Sequence, residues 1–401
     1  MKVAMITSWW PRWCGIATYS LGLCEALRDA GASVTVVCHV DGRSSYGFEA
    51  RPVIAQHDAR WPELLDRVVR DLKPEVVHVQ HEFGLYGTVS PEGEYDFTPA
   101  HALGLLPPIF RWVVGGLAVV VTYHSVFSRL TWEEAAYYRL FMDLATANIV
   151  HEPYQKEALP ANLKRQLDNV FACRHGAGTW KPSREEVEEV RHRLGVWGRP
   201  VAGLMGWWEP NKDFERVIRL WPAVLERVPS AVLVVAGDAR PHSPTGPGCK
   251  EALLRAIAQS PARDSIKVVM GRFERLEYLR IMSCFDFLIL PYSHASQSGN
   301  QAHAYQVGIP CVVTPVEGLA ASVEASRAGL IASSDDEMVE AIARLLRDEE
   351  LRKCLGDRAR RFVEQEIAWP LVADRHLQIY QWARRRAASA RSGYVQHRVH
   401  V

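Results

Sequence analysis

Between Asp286 and Thr314 the chain reads DFLILPYSHASQSGNQAHAYQVGIPCVVT. Ser296, Gln297, Ser298 and Gly299 stand immediately before a helical pattern that runs from Asn300 to Val307. The first N–H groups of a helix have no intrahelical acceptor, and the helix dipole adds positive potential, so such a start suits an anion, phosphate above all. An ordinary N-cap with Ser298 as the capping residue accounts for the same residues, and local chemistry leaves both readings open. A second set is His81, His124 and His175, each placed just after a strand-like run. One histidine there is commonly a loop residue satisfied by a backbone group. Three in one layer of one sheet favour a ligand-facing role.

The elements that must position these residues follow from hydrophobic period. Phe287 to Leu290, closed by Pro291, is a short apolar run of the kind buried on both sheet faces. Gly308 and Pro310 end the helix after it, and Cys311 to Thr314 is a second buried strand. Upstream, strands are expected at Lys2–Ser8, Ser33–Val40, Val76–Gln80, Leu117–Tyr123, Ile149–His151 and Val170–Cys173. Helices over Ile16–Leu27, Pro62–Leu72, Trp132–Ala145 and Tyr154–Leu163 alternate with them. A charged helix flanked by Gly and Pro lies between Gly176 and Val201, the composition of a domain connection. The pattern then restarts, with strands at Val201–Gly206, Ala231–Gly237 and Ile266–Met270 and helices at Phe214–Val228 and Arg275–Cys284. Three charged helices reach about Ala388, and a solvated basic tail with Arg385, Arg386, Arg391 and Arg398 follows. Strands alternating with helices predict parallel, doubly wound sheets, with ligands beyond the C-terminal strand ends. The first loop carries the single glycine Gly15 and not G-x-G-x-x-G, which argues against a dinucleotide.

Length and composition agree. At 401 residues two domains are expected, and a hydrophobic fraction of 48% supplies packed cores. The formal net charge of +1 gives no bias toward nucleic acid. The 8 cysteines are scattered, without C-x-x-C or zinc spacing, as in a reducing, cytoplasmic compartment. The N-terminus goes straight into a strand with no signal pattern, and the longest apolar stretch, Trp112 to Tyr123, is too short for a bilayer.

With these motifs in order, the chain resembles the retaining GT-B glycosyltransferases of the family-four group (glycosyltransferase group 1). The likeness is carried by WPRWCGIATYSLGLCEALRDAG, VVHVQHEFGLYG and VVVTYHS in the first half. In the second half it is carried by GWWEPNKDFERVIRLW, LVVAGD, LPYSHASQSG with AYQVGIPCVVT, and AWPLVADRHLQIY. The resemblance implies two Rossmann-like α/β domains facing each other across a cleft. It implies an N-terminal acceptor domain over 1–178, a donor domain over 179–368, and a helix over 369–401 that crosses back and ends in the basic tail. The implied activity is transfer of a sugar, a hexose by preference, from a nucleotide-sugar to a hydroxyl acceptor with retention. A UDP- or GDP-sugar is the co-substrate, and no metal or other cofactor is expected. Lys212 and the helix start at Gln297, Ser298, Gly299 and Asn300 would take the diphosphate, and Arg272 and Phe273 would lie at the base. Gly15 would let the backbone approach the phosphates, His124 would reach the transferred sugar, and His81 and Glu82 would lie on the acceptor side. His124 and Lys212 are the residues to which catalysis would fall.

The sequence also departs from the group. Two glutamates eight positions apart are usual around the donor loop, and Ala295 and His303 stand in their places. Cys14-Gly15 replaces a glycine pair, and Trp207 replaces an arginine. His303 either takes over the contact to donor hydroxyls or adds charge near the phosphates. The alternative to an active enzyme is a catalytically degenerate binding or partner subunit of the same shape. Acceptors considered are a saccharide, a lipid-linked molecule or a small molecule, with peripheral membrane contact among the options. Phe110 to Gly116 and the aromatics Trp9, Trp10, Trp13, Phe83, Tyr86 and Phe127 are candidates for an acceptor groove.

Overall fold

The computed structural model describes residues 1–87, 98–241 and 243–398. The chain divides into two units, Met1–Gly176 with Trp369–Val401, and Ala177–Ala368.

In the first unit seven strands form one parallel sheet: β1 Lys2–Thr7, β2 Ser33–His39, β3 Ala50–Ile54, β4 Val76–His81, β5 Ala118–Tyr123, β6 Ala147–Val150 and β7 Val170–Ala172. Their order is β3-β2-β1-β4-β5-β6-β7. The central strands are valine- and isoleucine-rich and buried along their length, because helices cover both faces of a parallel sheet. Strand order reverses between β1 and β4, where Val3 pairs with Val76. The loops leaving these two strands therefore diverge and leave room for a ligand.

The tail expected to be solvated is helical. One helix runs Trp369–Arg398 and packs on the helix Gly15–Asp29. Its first residue explains two glycines: a Cβ on Gly22 or Gly176 would lie 2.4 or 2.3 Å from the Trp369 ring. The side chains of Arg391 and Arg398 lie outside the described residues.

The second unit has six parallel strands: β8 Val201–Trp207, β9 Val232–Asp238, β10 Ile266–Met270, β11 Phe287–Leu290, β12 Cys311–Val313 and β13 Gly329–Ile331. The order β10-β9-β8-β11-β12-β13 places the reversal between β8 and β11, paired at Ala202 and Phe287. Among the elements that escaped the hydrophobic pattern are two of the first unit. β3 contains Pro52, and the helix Leu106–Val114 opens Leu-Pro-Pro. Proline suits an edge strand and a first helical turn, and reads as a breaker in both.

Candidate functional site

The β8/β11 reversal brings two loops together. The loop after β8 ends in a short turn, Pro210–Lys212, and the loop after β11 runs from Pro291 to Ser298. Ser293 N–H donates to the Asn211 carbonyl at 3.0 Å, and the Asn211 amide donates to the His294 carbonyl at 3.2 Å. Lys212 Nζ sits 3.7 Å from the centroid of the buried Tyr292 ring. Asn300 Nδ2 donates to the Tyr292 hydroxyl at 3.2 Å and to the Met205 carbonyl at 2.8 Å, while Tyr278 donates to Asn300 Oδ1 at 2.7 Å. Lys212 and the helix start are thus tied to one tyrosine although they lie far apart in sequence.

The helix Gly299–Val307 begins as an anion site would. Ser298 caps it, accepting from Gln301 N–H at 3.4 Å, and its first turn holds no acidic residue. Gly308 closes it in the left-handed conformation at φ 77°. The loop is pressed against a neighbouring helix, Glu317–Ser326: a Cβ on Gly318 would lie 2.3 Å from the Ser296 carbonyl and 2.5 Å from Gln297 N. Gln297 keeps its amide oxygen buried without a hydrogen-bond partner. A buried polar atom left this way costs free energy that a ligand recovers.

Lys212 is half-buried, and its pKa is pushed down to about 7. Burial is the main cause, Arg240 repels the charge further, and Glu209 partly offsets both. Glu209 accepts from Ser243 and Thr245 through one oxygen, at 3.0 Å each, and its other oxygen is buried without a hydrogen bond. Neither Glu209 nor Gln297's orphaned oxygen is visible in a sequence pattern. Arg272 is exposed and Phe273 half-buried on the loop after β10. His303 is half-buried and meets Tyr278 edge-on at 5.9 Å. Ala295 packs against the core.

In the first unit Gly15 opens the helix Gly15–Asp29, whose first turn also lacks an acidic residue, and a Cβ there would meet nothing within 4 Å. His124 is only 4% exposed. Its Nε2 lies 2.9 Å from Gln80 Oε1, and its Nδ1 lies 3.1 Å from His151 Nε2. His151 Nδ1 is in turn 3.2 Å from the Cys173 carbonyl. His175 joins the group through Tyr19, whose ring meets His124, His151 and His175 edge-on at 5.0, 5.2 and 4.9 Å. Burial holds His151 near 3 and His175 near 4, and pushes His124 well below the usual imidazole range.

His81 departs from its expected place on the acceptor side. It is the last residue of β4, 1% exposed, with Nε2 at 2.7 Å from the Tyr137 hydroxyl inside an aromatic cluster. That packing fixes it in the core. Glu82 accepts from Phe83 N–H at 3.1 Å and from the Ser125 hydroxyl, and remains half-buried. Of the expected groove aromatics, Trp9, Phe83 and Tyr86 are buried, Trp10, Trp13 and Phe127 half-buried, and Phe110 55% exposed. Among the described residues no group of three or more His, Cys, Asp or Glu side chains is placed to hold a metal ion. No described helix is long and apolar enough to cross a membrane.

Comparison with known proteins adds to this geometry. The family model "Glycosyl transferases group 1" matches residues 199–348, which include the Lys212 loop and the Ser298 helix start. A curated relative is the GDP-mannose-dependent monoacylated alpha-(1-6)-phosphatidylinositol monomannoside mannosyltransferase of Corynebacterium glutamicum, 24% identical over 207 residues. That match spans about half of each protein, 49% of this chain and 51% of the relative. Among solved structures, Anabaena HepE in complex with UDP superposes with a TM-score of 0.73 over 94% of this chain and 99% of its own, at 14% identity. The sucrose-phosphate synthase of Thermosynechococcus elongatus does so with a TM-score of 0.74 over 95% and 98%, at 17% identity. WaaG, a glycosyltransferase involved in lipopolysaccharide biosynthesis, gives 0.64 over 93% and 98%, at 16% identity. The chain is therefore GT-B in fold, and its segment 199–348 is similar to the group 1 glycosyltransferases.

Proposed function

We propose that this chain transfers a glycosyl residue, a hexose by preference, from a nucleotide-sugar to a hydroxyl acceptor, with retention of anomeric configuration. The observation that carries the reading is the joining of Lys212 and the Ser298–Asn300 helix start through Tyr292, inside the segment matched by the family model. The helix start supplies directed N–H donors and the lysine a mobile charge, which together suit a diphosphate. As the sugar's anomeric bond breaks, negative charge grows on the departing diphosphate, and these fixed donors stabilise it most when it is largest. Positive charge from Lys212 and the helix removes the need for a divalent ion at the leaving group. The departing phosphate accepts the acceptor's hydroxyl proton as the new bond forms on the same face of the sugar, which retains configuration. His303 is the fifth residue of the same helix and would meet donor hydroxyls or phosphate. Arg272 and Phe273 would flank the base.

HepE binds UDP and the Corynebacterium glutamicum mannosyltransferase depends on GDP-mannose, so UDP- and GDP-sugars are the first donors to try. The unpaired state of all eight cysteines fits a reducing compartment, and we place the protein in the cytoplasm. A screen of UDP-, GDP-, ADP- and dTDP-sugars by thermal shift, followed by hydrolysis and transfer assays with each hit, tests the proposal. Stabilisation by one nucleotide-sugar with turnover is expected. Binding with no turnover toward any acceptor would instead support a binding subunit, the reading that the engaged nitrogens of His124 and the loss of both glutamates at 295 and 303 favour.

A further inference from the structure

Two loops at the C-terminal edge of the first sheet, after β1 and after β2, are locked to each other. Arg43 N–H donates to the Trp10 carbonyl at 2.9 Å, Trp9 Nε1 donates to Ser45 Oγ at 3.0 Å, and Arg12 pairs with Asp41 at 3.2 Å. Trp9 is buried and serves as the anchor. The aromatic rings beside it are not buried with it. Trp10 and Trp13 are half-buried with centroids 5.4 Å apart, and Tyr46 stands 6.1 Å from Trp10 with 47% of its surface exposed.

Tyr46 is also in the wrong conformation for its type. Ser45 and Phe48 exchange both backbone hydrogen bonds, at 3.2 and 2.9 Å, so Tyr46-Gly47 is a two-residue hairpin turn with φ of 54° and 75°. Such a turn wants Asn or Gly at its first position, because a bulky L-residue is strained at positive φ. The tyrosine held there stays half-exposed with its ring against Trp10.

We infer that Trp10, Trp13 and Tyr46 form a preformed stacking platform for a pyranose ring, with the Arg12–Asp41 pair at its rim to bond vicinal hydroxyls. The ligand class follows from the chemistry. The C–H faces of a pyranose pack on indole and phenol rings, and a carboxylate beside a guanidinium offers acceptor and donors to a diol. Rings set edge-to-face at 65° and 79° make a shallow angled cradle rather than a slot for a flat base. That the ligand is the glycosyl acceptor rests on the transferase reading; that it is a saccharide does not.

The test uses the full chain labelled with ¹⁵N at tryptophan indoles and titrated, without donor, with methyl α-mannoside, methyl α-glucoside, methyl α-galactoside and maltose, and with glycerol as a control. The Trp10 and Trp13 resonances, assigned through Trp10→Phe and Trp13→Phe, are expected to shift with at least one glycoside and not with glycerol. Trp13→Ala and Tyr46→Asn should each weaken that binding by roughly two- to tenfold. Tyr46→Asn should at the same time raise the melting temperature, since it relieves the strained turn, so its loss of binding cannot be misfolding. No shift with any glycoside, an equal shift with glycerol, shifts only with lipid vesicles, or undiminished affinity in both variants would overturn the platform. Glycoside binding in a protein that transfers nothing would keep the platform and remove the transferase reading. Transfer with an unchanged acceptor KM in both variants would do the reverse.

Discussion

Replacing Lys212 by alanine tests the donor site through both affinity and proton count. In the free protein the Lys212 ammonium is held at a pKa of about 7 by burial and by Arg240, against the pull of Glu209. At pH 8 only about a tenth of it is then charged. A diphosphate placed at the Ser298 helix start brings negative charge beside the Tyr292 ring and reverses the preference, so binding should draw in close to one proton. The ligand's own phosphate groups, with a pKa of about 6, are fully ionised at pH 8 and contribute almost none. Calorimetric titration of the nucleoside diphosphate in two buffers of different ionisation enthalpy reads the uptake directly. Lys212→Ala should abolish it and should weaken the diphosphate by about ten- to a hundredfold, the value of a charge-assisted contact of about 1.5–3 kcal/mol. The bare nucleoside should lose little, and turnover should fall further than affinity, because phosphate charge grows in the transition state. Zero uptake by the wild type at pH 8, the same uptake by the variant, or equal losses for diphosphate and nucleoside would each refute the placement of Lys212 at the phosphates.

Two further outcomes are expected. Gly318→Ala puts a Cβ 2.3 Å from the Ser296 backbone and must displace the phosphate loop, so turnover should fall by roughly a hundredfold while far-ultraviolet circular dichroism stays native; an active variant would mean that this loop does not bind the donor. Glu152, 5% exposed beside Arg174 at 3.1 Å, has its pKa raised to about 7 by burial, with Arg174 opposing. The folded state therefore binds more protons than the unfolded one between about 4.5 and 7, and stability should fall as pH rises through that window. Glu152→Gln should flatten that stretch of the melting-temperature profile, and an unchanged slope would place the titration elsewhere.

What the sequence disclosed and what it hid divide along chain distance. Phe287–Leu290 and Cys311–Val313 are recognisable because a strand buried on both faces is a short apolar run, and Ser298 and Gly308 mark their helix by local backbone chemistry. The parallel order then places the Lys212 loop beside the 291–298 loop, a consequence of topology that needs no side-chain knowledge. The direction in which a residue at a strand end points is a different matter. His81 follows Gln80 in a strand where every residue is buried, so alternation gives no sign that its ring meets Tyr137. The helix Gly246–Gln259 begins Gly-Pro-Gly, which reads as loop until the packing of Leu253 and Ile257 is seen. Tyr46 carries no motif at all; only its positive φ singles it out.

The buried chain in the first unit has a direction, and the direction decides the state of His124. The Cys173 carbonyl can only accept, so His151 donates from Nδ1 and, when neutral, accepts at Nε2. His124 must then donate from Nδ1 and accept at Nε2. The partner at Nε2 is the Gln80 amide, which satisfies a neutral chain when it presents its NH₂ group there and turns its oxygen to His78 Nε2–H, 3.2 Å from the other end of that amide and shared with Thr122 Oγ1 at 2.7 Å. His78 in turn accepts at Nδ1 from the Tyr380 hydroxyl at 2.6 Å. The opposite amide orientation needs a charged imidazolium in a core where burial pushes every one of these rings toward neutrality. Nitrogen-15 spectra at pH 7 should therefore show His124 and His151 both as Nδ1–H tautomers. Because their folded pKa values lie below those of the unfolded chain, they oppose unfolding less as pH drops from about 6.5 toward 3, and the first unit should be acid-labile in that window. His124→Ala removes the middle of the chain, leaving Gln80 and His151 facing a void, and should lower turnover strongly while nucleoside diphosphate affinity stays within a few-fold, since the phosphate groups assigned above lie in the other unit. An Nε2–H tautomer or an imidazolium at His151 would break the direction argued from Cys173, and normal turnover in His124→Ala would remove the chain from the reaction.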